Sequence, residues 1–92
     1  LVQLFGFTEH AVYTNYQWIH SVNDCNLIGT SFSGTKVIVV DKDGQPKPDG
    51  FEGQLASIGI GVSRGYYLLE ENTTFKMFKG QRMFLSGDIC RK

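Results

Sequence analysis

Gly53-Gln54-Leu55-Ala56-Ser57-Ile58-Gly59-Ile60-Gly61-Val62-Ser63-Arg64-Gly65-Tyr66 is the stretch on which the reading of this chain turns. Gln54 to Ile60 reads as a strand, and Gly61 to Tyr67 as a glycine-interrupted strand or bend. Glycines at these positions let a strand bend and let another backbone come close, with Tyr66 as a packing anchor. A dinucleotide-binding glycine fingerprint is excluded, because the spacing is wrong and no helix obviously follows.

Upstream of this stretch, Lys36-Val37-Ile38-Val39-Val40 is the clearest strand, being almost entirely β-branched. It meets Asp41-Lys42-Asp43-Gly44, a strong turn signal: aspartate bonds nearby backbone and glycine accepts a positive φ. The same residues with Glu52 imitate the ends of a calcium loop. Pro46 stands where such a loop needs glycine and flanking helices are missing, so a hairpin turn explains them better. Earlier still, Leu1 to Phe5 suits a buried strand ending in a loop, and Ala11 to Ile19, rich in Val, Tyr, Thr and Trp, suits a half-buried one. Asn23 to Asn26 punctuates, and Gly29 to Gly34 forms a connecting loop. Downstream, Leu69 to Met77 supplies the one short helix, and Gln81 to Leu85 a final strand that delivers Ser86-Gly87-Asp88 to its end. Short strands between glycine-rich turns point to an open barrel or small antiparallel sheets.

Bulk properties remove several function classes. At 92 residues the chain is one domain at most, with a thin core. Nine basic and nine acidic side chains balance, so no basic surface argues for nucleic acid or an acidic membrane. The aromatics Tyr13, Tyr16, Trp18 and Phe32 are therefore assigned to core packing and pocket lining rather than base stacking. Cys25 and Cys90 stand apart without a second ligand pair, which excludes zinc-finger and thioredoxin-type sites; they default to inert thiols. His10 and His20 lack metal-ligand spacing, although His10, next to Glu9, could line a substrate pocket. No apolar run approaches the roughly 20 residues that span a bilayer, and no export signal opens the chain. A reduced, cytoplasmic chain is the simplest interpretation. The abrupt ends, a strand already in progress at Leu1 and Arg91-Lys92 straight after a motif, suggest an excised fragment, a single partial domain over residues 1–92.

Three clusters in order, Phe5-Gly6-Phe7-Thr8-Glu9, Gly53 to Tyr66, and Phe84-Leu85-Ser86-Gly87-Asp88, resemble the core motifs of the adenylate-forming enzyme superfamily. The chain is most similar to part of an amino-acid adenylation domain of a nonribosomal peptide synthetase. The resemblance implies a mainly β fold with a short helix: a fragment of the N-terminal domain of those enzymes, including its distorted β-barrel subdomain. It also implies roles. Phe5, with Gly6, would stack on adenine, Thr8 would bond the α-phosphate, and Glu9 would hold Mg²⁺, making Thr8 and Glu9 the catalytic pair. Asp88 would accept hydrogen bonds from both ribose hydroxyls, a task suited to an ionised carboxylate. Leu4, Val12 and Tyr13, flanking the first motif, would line the acid pocket, and their apolar or aromatic character fits a modestly hydrophobic substrate. Two departures stand out. Phe7 occupies a position where amino-acid-activating members usually have proline, and Gln54 replaces the usual glutamate at a site read as architectural.

The resemblance implies ATP and Mg²⁺ as cofactors, an amino acid or other carboxylic acid as substrate, and a carrier protein with a phosphopantetheine thiol as acceptor. It also implies the remaining subdomains of a parent enzyme, with neither nucleic acid nor membrane as partner. The alternatives are part of an acyl- or aryl-CoA ligase and, in a different class, a non-enzymatic β-rich interaction module. Because the chain omits the family's phosphate loop and C-terminal lysine, the 92 residues alone are expected to be inactive.

Overall fold

The computed structural model of the chain describes residues 1–64 and 74–92, with only the backbone of Cys25 and Asn26. These residues form strands β1 (Val2–Phe5), β2 (Asn15–Trp18), β3 (Thr30–Ser31), β4 (Thr35–Val40), β5 (Glu52–Gly59), β6 (Phe75–Phe78) and β7 (Gln81–Arg91), with one 3₁₀ turn at Val22–Asn26. All pairing is antiparallel, in a three-stranded sheet ordered β1-β2-β3 and an open four-stranded sheet ordered β4-β5-β7-β6.

The β-branched run of β4 pairs in unbroken register with β5, from Thr35 opposite Gly59 to Val40 opposite Gln54. Its turn closes as the sequence demands. The Asp41 carboxylate accepts the N–H groups of Asp43 at 2.8 Å and Gln45 at 3.0 Å, and Gly44 takes a positive φ of 82°. Strand β5 lies between β4 and β7, and Leu55, Ala56, Ser57 and Ile58 are all buried, as expected of a strand covered on both faces. On one face Val40, Ala56, Ile58, Met83 and Leu85 form the core, with Ile38 and Phe78 packed against it. Truncating such a side chain to alanine costs about 2–5 kcal/mol.

The opposite face receives the three-stranded sheet through a chain of rings. Phe84 of β7 packs 5.3 Å from Phe75 and 5.3 Å from Phe7, and Phe7 lies edge-on to Phe5 at 5.3 Å and 84°. Each pair is worth about 0.5–1.5 kcal/mol beyond the area it buries. Phe7, the residue that departs from the resembled motif, thus joins the end of β1 to the larger sheet.

Several sequence expectations need correction. Where a helix was expected over 69–77, the described part is strand: Phe75–Phe78 is β6, paired with β7 through a two-residue turn at Lys79 (φ 48°) and Gly80 (φ 82°). Pairing with a neighbouring strand overrides local helix preference there, and positive φ at both turn residues matches the twist of a hairpin. Residues 65–73, including Tyr66, lie outside the described residues. The strand expected over 11–19 shortens to β2, because Ala11 and Val12 take positive φ. Strand β1 is an edge strand with Val2 and Leu4 exposed rather than buried, and Trp18 is 57% exposed, so it is not core. Tyr16 and Phe32 do pack together, at 5.2 Å. Inside the 29–34 loop lies the short β3, and the punctuating residues Asn23 to Asn26, with Val22, form the 3₁₀ turn, where the Asp24 carboxylate accepts the N–H groups of His20 and Ser21.

Candidate functional site

Thr8 and Glu9 occupy the middle of a turn that leaves the end of β1. The Phe7 carbonyl accepts N–H groups from His10 at 3.1 Å and Val12 at 3.0 Å, and Thr14 N–H returns to the Phe5 carbonyl at 2.9 Å. Thr8 is exposed and Glu9 half-buried. The turn is tied to the larger sheet from its far side: Ser63 N–H donates to the Glu9 carbonyl at 2.8 Å, and His10 bridges to Val62. Gly6 permits this tight path, since a Cβ there would overlap the Val12 carbonyl. Tyr13 N–H donates to the Ala11 carbonyl at 3.0 Å, closing a three-residue turn around Val12, whose φ is 75°. A β-branched residue in that region is strained and persists only where its surroundings fix it.

Gly59 and Gly61 carry this docking. A Cβ on Gly59 would stand 2.6 Å from the Gly34 carbonyl oxygen, and one on Gly61 would stand 2.8 Å from Cδ2 of His10. His10 is therefore a buried packing residue, 1% exposed, and does not line a substrate pocket. Among the described residues neither ring nitrogen has a hydrogen-bond partner, and burial holds its pKa below the ordinary value of 6.5.

Asp88 is delivered by a bulge inside β7 rather than at a strand end. Ala56 pairs with Leu85 and Gln54 with Ile89, so Ser86, Gly87 and Asp88 together oppose Leu55 alone. Gly87 adopts a φ of 82°. The displaced segment is held by side chains: Ser86 Oγ donates to the Leu55 carbonyl at 2.6 Å and accepts Asp88 N–H at 3.1 Å, while Gln54 Oε1 accepts Gly87 N–H at 2.7 Å.

Phe5 and Asp88, from different sheets and distant in sequence, line one open cleft of about 1100 Å³, together with Val37, Val39 and Leu55. Asn15 and Gln17 of β2 and Ile28 to Ser31 close its other side. Thr8, Glu9 and Gly6 do not line this cleft, and neither do Leu4, Val12 and Tyr13, which are 45%, 55% and 51% exposed. Leu4 precedes Phe5 on a strand, so the two side chains point to opposite faces of β1. Cys90 lies in the cleft two residues beyond Asp88; burial first, and then the Asp88 charge, raise its thiol pKa and keep it protonated.

Among the described residues no three His, Cys, Asp or Glu side chains gather as a metal cage. A half-buried carboxylate at a turn, as Glu9 is, fits Mg²⁺ nonetheless, because that ion commonly takes one or two carboxylates with substrate phosphates and water. The contributions of Gln54 and Ser86 were not read from sequence. The only signal available was a polar residue at each end of a pairing irregularity that depends on register.

Residues 1–67 match the family model described as AMP-binding enzyme. The chain is 32% identical over 99 residues to bacitracin synthase 1 of Bacillus licheniformis, an alignment covering 99% of this chain and 2% of that protein. Its fold superposes on the N-terminal subdomain of NpsA from Klebsiella oxytoca with a TM-score of 0.83 at 22% identity, over 98% of this chain and 26% of that one. It likewise superposes on holo-AB3403, a four-domain nonribosomal peptide synthetase bound to AMP and glycine, with a TM-score of 0.80 at 23% identity, over 96% of this chain and 7% of that one. The chain thus spans a small fraction of the proteins it matches. With the family match running through the Thr8–Glu9 turn and the glycine-rich segment that docks it, the chain belongs to the AMP-binding enzyme family.

Proposed function

We propose that these residues form one side of the nucleotide site of an ATP-dependent ligase, which activates an amino acid as an acyl-adenylate and passes it to a carrier-protein thiol in the cytoplasm. The observation that carries this reading is the shared cleft: an aromatic ring and an exposed carboxylate, brought together from two sheets, face one space. Phe5 offers a surface for adenine, and Asp88 accepts from the ribose hydroxyls. Thr8, exposed on its turn, donates to the α-phosphate. Glu9 would hold Mg²⁺, which when bound shields phosphate charge. In the reaction a substrate carboxylate oxygen attacks the α-phosphorus, the bond to pyrophosphate breaks, and the electron pair leaves with pyrophosphate. The chain's own part is orientation and electrostatic complementarity. Phosphate contacts from the remaining subdomains of the parent enzyme complete the site. The amino-acid assignment draws on the relatives, which include a peptide synthetase whose structure holds AMP and glycine.

Amino-acid-dependent exchange of labelled pyrophosphate into ATP by the intact enzyme is the test. Exchange with members of an amino-acid panel is expected. Exchange only with aliphatic or aryl acids would move the protein to the acyl- or aryl-CoA ligases, and nucleotide binding without exchange for any acid would end the ligase reading.

A further inference from the structure

Strand pairing leaves an accounting question at the β7 bulge. Three residues, Ser86 to Asp88, stand opposite one, so the ladder cannot serve all their backbone groups. Two side chains take over. Gln54 Oε1 accepts the Gly87 N–H, Ser86 Oγ accepts the Asp88 N–H, and the Ser86 hydroxyl proton goes to the Leu55 carbonyl. Among the described residues nothing lies within 4 Å of where a Cβ on Gly87 would sit, so these hydrogen bonds rather than packing at Gly87 hold the bulge. Among the described residues, the Asp88 carboxylate itself accepts no bond from the protein, and it faces the cleft that Phe5 lines.

We infer that Gln54 and Ser86 are positioning residues, which lock the bulge so that Asp88 presents its carboxylate to the ribose hydroxyls beside Phe5; this rests on the nucleotide role proposed for Asp88. Gln54 is then more than a glutamate that lost its charge. Its amide oxygen serves the acceptor role that a carboxylate in the same place would serve. Freed from Gln54, the Gly87 peptide can rotate and the Asp88 carboxylate samples orientations that miss the ligand.

The test is steady-state kinetics of the intact enzyme with ATP and with 2′-deoxy-ATP, for Gln54→Leu, Gln54→Glu, Ser86→Ala, Asp88→Ala and the Gln54→Leu/Asp88→Ala pair. Loss of one such hydrogen bond is expected to raise KM for ATP roughly threefold to tenfold in Gln54→Leu, with kcat changed less. The preference for ATP over its 2′-deoxy analogue should narrow, and Ser86→Ala should narrow it in the same direction. Gln54→Glu should retain wild-type values, because a carboxylate accepts the same N–H. In the Asp88→Ala background Gln54→Leu should have no further effect on KM. The inference is overturned if Gln54→Leu raises KM equally for both nucleotides, or by the same factor with and without Asp88, or not at all while Asp88→Ala weakens ATP use. If Asp88→Ala leaves both nucleotides unaffected, the ribose role itself falls.

Discussion

A Gly61→Ala substitution adds one carbon, and the structure says where it goes: 2.8 Å from Cδ2 of His10, 3.1 Å from its Nε2 and 3.2 Å from Cβ of Ala11. The first of these is closer than real Cβ contacts allow, and the ring has little room to retreat. His10 is 1% exposed, and Gly59 lies on the same ring. Overpacking of this kind costs about 1–3 kcal/mol. Gly61 is outside the positive-φ region, so alanine brings no backbone strain and stiffens the unfolded chain, returning about 0.4–1 kcal/mol. The net loss should be about 1–2 kcal/mol. Urea unfolding at low protein concentration, followed by far-ultraviolet circular dichroism, measures it. The decisive comparison is a double-mutant cycle. In a His10→Ala background the ring contacts are gone and only the 3.2 Å approach to Cβ of Ala11 remains, so most of the penalty should vanish, a coupling of about 1 kcal/mol or more. An equal cost in both backgrounds would refute the idea that Gly61 exists to admit His10, and with it the account of how the Thr8–Glu9 turn is docked.

Asp88→Ala should weaken nucleotide affinity about tenfold to a hundredfold with little loss of stability, since its proposed partner is a ligand; isothermal titration with ATP reports this, and unchanged affinity would remove Asp88 from the site. Glu9→Gln should keep substrate binding but shift the Mg²⁺ dependence of pyrophosphate exchange, and superimposable Mg²⁺ titrations would contradict metal coordination. Burial lowers the His10 pKa below 6.5, so the unfolded chain binds the extra proton first. Stability from this residue should be intact above about pH 6.5 and decline as pH falls below it, until folded His10 also protonates. A His10→Asn variant should lose that slope. The 92-residue chain alone should exchange no pyrophosphate, and it should self-associate in sedimentation velocity, because Leu1, Val2, Leu4 and Trp18 are exposed together on the small sheet.

What the sequence determined by itself is local. The β-branched run of Lys36 to Val40 specified a strand, and Asp41 and Gly44 specified its turn, because those preferences are set within a few residues. The three motifs in order identified the family, and Phe5 with Asp88 could be named as candidates, since motif residues are read without coordinates. Register and close approach were decided only in the tertiary structure. Phe75 to Phe78 became a strand because β7 was there to pair with it. The Ser86–Asp88 bulge exists because β5 supplies one residue against three, and Gln54 acquires its acceptor role only at that register. Beside Glu9 in the sequence, His10 reads as a pocket residue, yet it is buried because Gly59, at the end of β5, and Gly61, in the turn after it, leave room for its ring. The Gln54 and His10 contacts join residues tens of positions apart, and no local preference encodes them. The common cleft of Phe5 and Asp88 arises the same way, from two sheets held together by the rings of Phe7 and Phe84.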